Sequence, residues 1–385
     1  MFSFQSQNSY QKIIDVISEQ LSRAGISVAG VSITQTSSGD IIDIYIDRIL
    51  DEEEFNEIYR YIVKNTGYMI IQPRANEPLL RAIKIPEGKD TRLKRLILLI
   101  ATLTTIFLTG LGLSQSYYET IMETTPQLEV LGMSIAYTVL FISALAIHEY
   151  GHMWASRKDS VLIDGPYFIP APPIQLGFIG TLGAVIKMKT LPPDRRGLAR
   201  LGISGPLAGF IAGIIIGVIG VMMSPIIPLE KAQEMIESSE ATELSFMPLI
   251  LQLMIMIRNI PDNYTLFLHP FAFIAFIIFI VTFINLMPIG QLDGGHVARS
   301  YLEPHTHRWL GDMIIVTMLV AGALLLRLGD IGIYYISLSI ILLILRMIVG
   351  KHPHPGPANQ YAKQQTKKYL ILYLTILILT MPFPA

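Results

Sequence analysis

One pentapeptide in the chain carries the residue types of a hydrolytic metal centre: His148-Glu149-Tyr150-Gly151-His152. Residues four apart on an α-helix lie about 40° apart around its axis, so both imidazoles share one face. Two neutral imidazole nitrogens so placed can bind one Zn²⁺ at roughly 2.0–2.1 Å. Glu149, next to the first, is placed to take a proton from the attacking water. The pentapeptide closes an apolar run that starts near residue 131. An ionisable side chain at the centre of a membrane helix costs about 2.5–3.5 kcal/mol on insertion scales, so three together mark a functional site. The plainer reading, a chance match or polar groups reaching for the interface, explains the cluster less well.

Catalytic zinc needs a third protein ligand and an open fourth position. A later apolar run ends in Asn285-Leu286-Met287-Pro288-Ile289-Gly290-Gln291-Leu292-Asp293-Gly294-Gly295-His296. Asp293 is a hard oxygen donor. Gly294 and Gly295 lack bulk, which would let this backbone approach the metal helix. Pro288 should break its helix and free backbone groups to line a wet cavity. The Asn285 amide, if near the metal, could contact substrate; it could equally satisfy a carbonyl freed by Pro288.

Taken in order, His148-Glu149-x-x-His152, Asn285-x-x-Pro288 and Leu292-Asp293-Gly294-Gly295 resemble the site-2 protease family of intramembrane zinc metalloproteases. The resemblance covers about residues 130–300. Ile169-Pro170-Ala171-Pro172, Gly180-Thr181-Leu182-Gly183-Ala184, Leu191-Pro192-Pro193-Asp194-Arg195-Arg196 and Gly205-Pro206-Leu207-Ala208-Gly209 are similar to the branch found in archaea, cyanobacteria and chloroplasts. No PDZ or CBS pattern is recognisable. The resemblance implies that His148, His152 and Asp293 hold one Zn²⁺ per chain and that Glu149 is base and acid. It implies that Asn285 contacts the substrate backbone or the developing oxyanion. Transmembrane segments of other proteins would be the substrates. A membrane-anchored peptidase of soluble peptides is the competing enzyme; a metal-binding transporter or pseudoprotease is the competing non-enzyme.

These residues must be positioned by membrane-spanning elements. The chain has 385 residues, 51% hydrophobic and 15% charged, against about 25% charged in an ordinary soluble domain. Apolar runs of spanning length lie at about 93–113, 131–154, 201–223, 266–288, 309–328, 331–349 and 369–383. Residues 244–257 are apolar but short and broken by Pro248, hence interfacial or re-entrant. The pattern predicts an all-α polytopic membrane protein of about six to seven transmembrane helices with a re-entrant or β-hairpin segment. Residues 1–90, with 13 acidic and 9 basic side chains, predict a small soluble α+β domain: helix, hairpin around Ser37-Ser38-Gly39-Asp40, helix, strand. A metalloprotease domain follows over 91–350, then a polar linker and C-terminal helix over 351–385.

Lys and Arg cluster before the first span, after the second and before the third, with Arg299 after the fourth and Lys351 after the sixth, whereas loop 114–130 has none and loop 224–245 only Lys231. With 244–257 not crossing, all basic loops fall on one side and the N-terminal domain is cytoplasmic; the branch resemblance implies a prokaryotic cell membrane. The second and fourth spans then end on the same side, which brings Asp293 to the level of the two histidines. No leader segment is visible, since Phe2 to Ser9 is polar. A net charge of −1 without a basic stripe argues against nucleic acid. The absence of Cys excludes disulfides and thiolate sites.

The segment Thr181–Lys189 could present an extended edge to which an unwound substrate adds as a strand near Ala184 and Ile186; a re-entrant lid or plain hairpin is the alternative. Gly202-Ile203-Ser204-Gly205 mimics a serine-protease pattern, but no base is at hand, so Ser204 reads as a helix-start residue. Gly205, Gly209, Gly213 and Gly217 read as a close-packing stripe. His305, His307, His352 and His354 read as solvated surface.

Overall fold

The computed structural model describes residues 4–36, 39–86, 91–328, 330–349, 353–363 and 365–384. Ser37, Ser38 and His352 of the expectations above lie outside them, as do residues 87–90.

Helix α1 (Phe4–Arg23) buries Ile13, Ile17 and Leu21, four apart and hence on one face. Strands β1 (Val28–Thr36) and β2 (Gly39–Ile46) form the hairpin. Helix α2 (Glu52–Thr66) starts in a capping box. The Asp51 carboxylate accepts from the backbone of Glu53 and Glu54, and Glu54 reaches back to the Asp51 N–H. It stops at Gly67, whose φ of 72° suits glycine. Strand β3 (Tyr68–Ile71) follows, then β4 (Leu79–Lys84), which the sequence pattern did not predict. Its run Leu79-Leu80-Arg81-Ala82-Ile83-Lys84 has no clean alternation. Pairing decides it: β4 lies between β2 and β3 in the order β1-β2-β4-β3, and Arg81 meets Asp43 of β2 at 2.7 Å. The helices pack Phe55, Tyr59 and Ile62 against Ile42, Ile44 and Ile70.

The remaining chain is mostly helical. Helices α3 (Arg92–Met122) and α4 (Gln127–Lys158) lead to the hairpin of β5 (Ile163–Pro170) and β6 (Thr181–Met188). Helix α5 (Arg195–Met223) follows. A cap of short elements comes next: β7 (Ile226–Pro228), α6 (Leu229–Glu237), β8 (Phe246–Pro248), α7 (Leu249–Met256) and β9 (Tyr264–Leu266). Then come α8 (Pro270–Asn285), α9 (Asp293–Tyr301), α10 (Pro304–Leu325), α11 (Asp330–Val349), α12 (Lys367–Thr380) and β10 (Pro382–Pro384). β7 pairs with β9 and β8 with β10.

Among the described residues five helices are long and apolar enough to cross a membrane: α3, α4, α5, α10 and α11. The chain is therefore a multi-pass helical membrane protein. Helix α8, of 16 residues, is apolar but shorter. Helix α7, of eight residues, spans about 12 Å and is too short to cross. Half of the apolar window of α5 is buried, more than in any other of the five, so α5 is the central helix. Its N-terminus is capped by Asp194, which accepts from the Gly197 N–H. Ser204 is therefore not a helix-start residue: it lies inside α5, and its hydroxyl donates to the Arg200 carbonyl.

The N-terminal segment docks on two loops of the membrane part through helix α2 and the residue after β3. Gln72 N–H donates to Ala358 O at 2.9 Å and Asn56 donates to Asp194 at 2.7 Å. Ala358 is buried in the N-terminal core.

Candidate metal centre

His148 and His152 sit one turn apart near the end of α4, and Asp293 is the first residue of α9. The chain between α8 and α9 turns back through residues 286–292, so the carboxylate arrives from a short separate helix rather than from the end of a span. The three donors form a tight triangle. His148 Nε2 is 3.1 Å from His152 Nε2 and 3.3 Å from one Asp293 oxygen; His152 Nε2 is 3.2 Å from the other. Two donors each 2.0–2.1 Å from a tetrahedral centre stand roughly 3.3–3.4 Å apart. The donor set fits a divalent cation of the zinc kind in both chemistry and spacing. No other group of three or more potential ligand residues converges in this way among the described residues.

Two further features suit a hydrolytic centre. The Nδ1 of His152 lies 2.9 Å from the Leu201 carbonyl, which takes its proton and leaves Nε2 free as a donor. Glu149 is buried, and its Oε2 has no hydrogen-bond partner. A buried carboxylate oxygen left unpaired is costly unless a water or substrate proton completes it.

Helix α5 supports all three donors with glycines. A Cβ at Gly205 would strike the His152 ring, and one at Gly209 would come within 3.0 Å of His148 Nδ1. One at Gly202 would come within 2.6 Å of the Asp293 carbonyl. On the other side, Gly151 of α4 lies against the Ser204 backbone. The stripe was legible as packing; its register with the histidines was not drawn from the sequence. Both pairs have four-residue spacing, which is the signal available.

The roles expected of Gly294 and Gly295 need correction. Cβ atoms at the two glycines would meet the carbonyls of Leu286, Ile289 and Gly290, so they let α9 fold back on its own preceding turn. The approach to the metal helices is made through Gly202 instead. The Leu286 carbonyl, at the break before Pro288, accepts from Tyr373 of α12 at 2.8 Å in a buried setting. Asn285 is the last residue of α8 and half-buried. Ala184 and Ile186 lie on β6, opposite Phe168 in the case of Ala184.

Two histidines read as surface are core residues. His307 and His354 are each 3% exposed, whereas His305 is exposed. His354 Nδ1 accepts from the Gly356 N–H at 2.9 Å, so its Nε2 carries the proton and donates to His296 Nδ1 at 2.7 Å. Burial, then the nearby His296 and His307, hold the His354 pKa well below 6.5. The polar spacing of the loop gave no sign of this, because burial comes from α9 and α10 folding over it. Nearby, Arg195 donates to Ala362 O, Ser300 O and Glu303, tying α5, α9 and the 353–363 segment together.

Fold and donor set together define a polytopic membrane protein with a candidate hydrolytic metal site. The chain belongs to peptidase family M50, whose sequence model matches residues 136–328. A protein described as probable zinc metalloprotease EGY2, chloroplastic, of Arabidopsis thaliana is 25% identical over 293 residues, 74% of this chain and 48% of the relative. Its counterpart in Oryza sativa subsp. indica is 23% identical over 285 residues, 74% of this chain and 49% of the relative. A zinc metalloprotease of Methanocaldococcus jannaschii is 24% identical over 225 residues, 58% of this chain and 50% of the relative. The chain spans about half the length of these curated relatives. No solved structure matches it.

Proposed function

We propose that the chain is an intramembrane zinc metalloendopeptidase that hydrolyses peptide bonds within transmembrane segments of other proteins. The observation that carries the reading is the triangle of His148, His152 and Asp293, with the unpaired Glu149 carboxylate beside it on the span-length helix α4. We assign one zinc ion per chain to the three donors. When bound, it supplies Lewis-acid polarisation of the scissile carbonyl and stabilises developing negative charge. Glu149 takes the proton of the attacking water and passes it to the leaving amine. The Leu201 carbonyl keeps His152 in the tautomer with a free Nε2.

A helix offers no free carbonyl, because its backbone is internally bonded. The substrate therefore unwinds first, and we assign β6 as the edge that receives it, with Ala184 and Ile186 flanking the contact. Asn285 is assigned to the substrate backbone or the oxyanion; the Leu286 carbonyl at the helix break already has Tyr373 as its donor, which supports this over a purely structural role. Helices α8 and α12 complete the crossings, and we place the α+β domain of residues 1–90 on the cytoplasmic side of a prokaryotic cell membrane. The asymmetry of Lys and Arg among the loops supports that orientation. The relatives' names and the intact Glu149 favour this reading over a transporter or pseudoprotease.

The test is metal analysis of purified protein together with cleavage of single-span substrates. Glu149→Gln should retain zinc and lose cleavage by at least about 10²–10⁴-fold, the usual contribution of a general base. Cleavage at the wild-type rate by a zinc-loaded Glu149→Gln protein would end the proposal.

A further inference from the structure

A cavity of about 30 Å³ lies against His148. One water needs roughly 10–15 Å³ measured in this way, so there is room for two or three groups of water or methyl size. Its walls include Phe141 and Ala144 of α4, Gly209 of α5, and Ile278, Val281 and Thr282 of α8. Phe141 and Ala144 precede His148 by two turns and one turn, so the cavity runs along one face of α4 and ends at the imidazole. No Asp, Glu, Lys or Arg lines it. On the β6 side the wall is Thr181 and Gly183; Gly183 is buried, yet a Cβ built on it would meet nothing within 4 Å. The strand thus leaves an opening from its backbone into the cavity.

The geometry points to this cavity as the subsite for the substrate side chain next to the scissile bond, restricted to small uncharged residues: glycine, alanine or serine, with valine at the limit. The inference rests on the proteolytic reading above and adds its selectivity. A peptide bond presented to the donor triangle carries its flanking side chain within one residue of His148, about 3.3 Å along an extended chain. A side chain running past Gly183 meets open space beside the strand. Leucine or phenylalanine would have to displace Phe141 or Ile278, which are 1% and 6% exposed and close-packed. A charged side chain would be buried without a partner. In a pocket of this kind one methylene changes kcat/KM by about 10–200-fold.

The test uses the full chain, purified in detergent with zinc, and a set of synthetic single-span peptides. Each is leucine-rich with a randomised four-residue window, and products are sequenced by mass spectrometry. Wild type should place a small uncharged residue on one defined side of every cut, with leucine disfavoured there about 10-fold or more. Ile278→Ala and Val281→Ala enlarge the wall and should admit leucine. Ala144→Val narrows it and should leave mainly glycine. Cuts flanked on both sides by large residues, or the same profile in wild type and in either enlarged variant, would overturn the subsite alone. No cleavage of any peptide by wild type holding zinc would overturn the proteolytic reading and the subsite with it.

Discussion

Gly205→Ala separates metal geometry from fold stability. A methyl group built on Gly205 stands 2.6 Å from His152 Cε1 and closer still to the donor atom Nε2. Carbon contacts settle at about 3.5–4.0 Å, so the ring must retreat by roughly 1 Å. Donor distances in a metal site tolerate about ±0.2 Å. The displacement exceeds that several-fold, and zinc affinity should fall by at least the 10–100-fold typical of a lost supporting contact. The fold responds differently. Alanine gains about 1 kcal/mol over glycine in a helix interior, and overpacking costs about 1–3 kcal/mol. The net change in stability is then roughly 0–2 kcal/mol destabilising. Gly209→Ala is the graded control: its methyl lies 3.0 Å from His148 Nδ1 and 3.3 Å from Cβ, so a few tenths of an ångström relieve it. Zinc competition with a chromogenic chelator, alongside thermal unfolding, reads both quantities. Wild-type zinc affinity in a folded Gly205→Ala protein would refute the claim that α5 sets the donor geometry.

Three other outcomes follow from the same contacts. Tyr373→Phe leaves the buried Leu286 carbonyl without its donor and should cost about 1–3 kcal/mol; an unchanged unfolding midpoint would show that the carbonyl finds another partner. Ile186→Pro removes a backbone donor from β6 and should abolish cleavage while zinc content stays at the wild-type level, so undiminished turnover would argue against strand addition. His354 is neutral when folded because burial and its two histidine neighbours disfavour the proton. Below pH 6.5 the unfolded chain binds a proton that the native chain refuses, so stability should drop as pH falls, by up to about 1.4 kcal/mol per unit. His354→Gln should flatten that slope between pH 7.5 and 5.5 in a thermal unfolding series, and an equal slope in both proteins would place the titration elsewhere.

The centre was legible where chemistry and periodicity coincide. His148, Glu149 and His152 share a short helical spacing, and the expectation that Asp293 comes to their level drew on the Lys and Arg asymmetry rather than on the motif. The long helices announced themselves by apolar length, and α2 by Asp51, Glu54 and Gly67. Where partners lie far apart in sequence, the pattern carried less. Strand β4 has a run too short and irregular to declare itself; it exists because β2 and β3 offer it two edges and Asp43 offers Arg81 a partner. His307 and His354 look polar in sequence and are buried only because α9, α10 and the 353–363 segment close on one another.

The glycines show the boundary most clearly. Spacing alone says that Gly205 and Gly209 permit a close neighbour. It does not say which neighbour, because any small-residue stripe serves any helix. What selects α4 is that a bulky polar ring needs both a hollow to lie in and a carbonyl to face. Helix α5 offers both within one turn, Gly205 for the His152 ring and the Leu201 carbonyl for its Nδ1. The same helix then presents Gly202 to Asp293, so one element brings together donors from segments more than a hundred residues apart. A change that shifts α5 by one residue would rotate its glycines by about 100° away from both imidazoles, which is why the helix tolerates side chains on its other faces and none on this one.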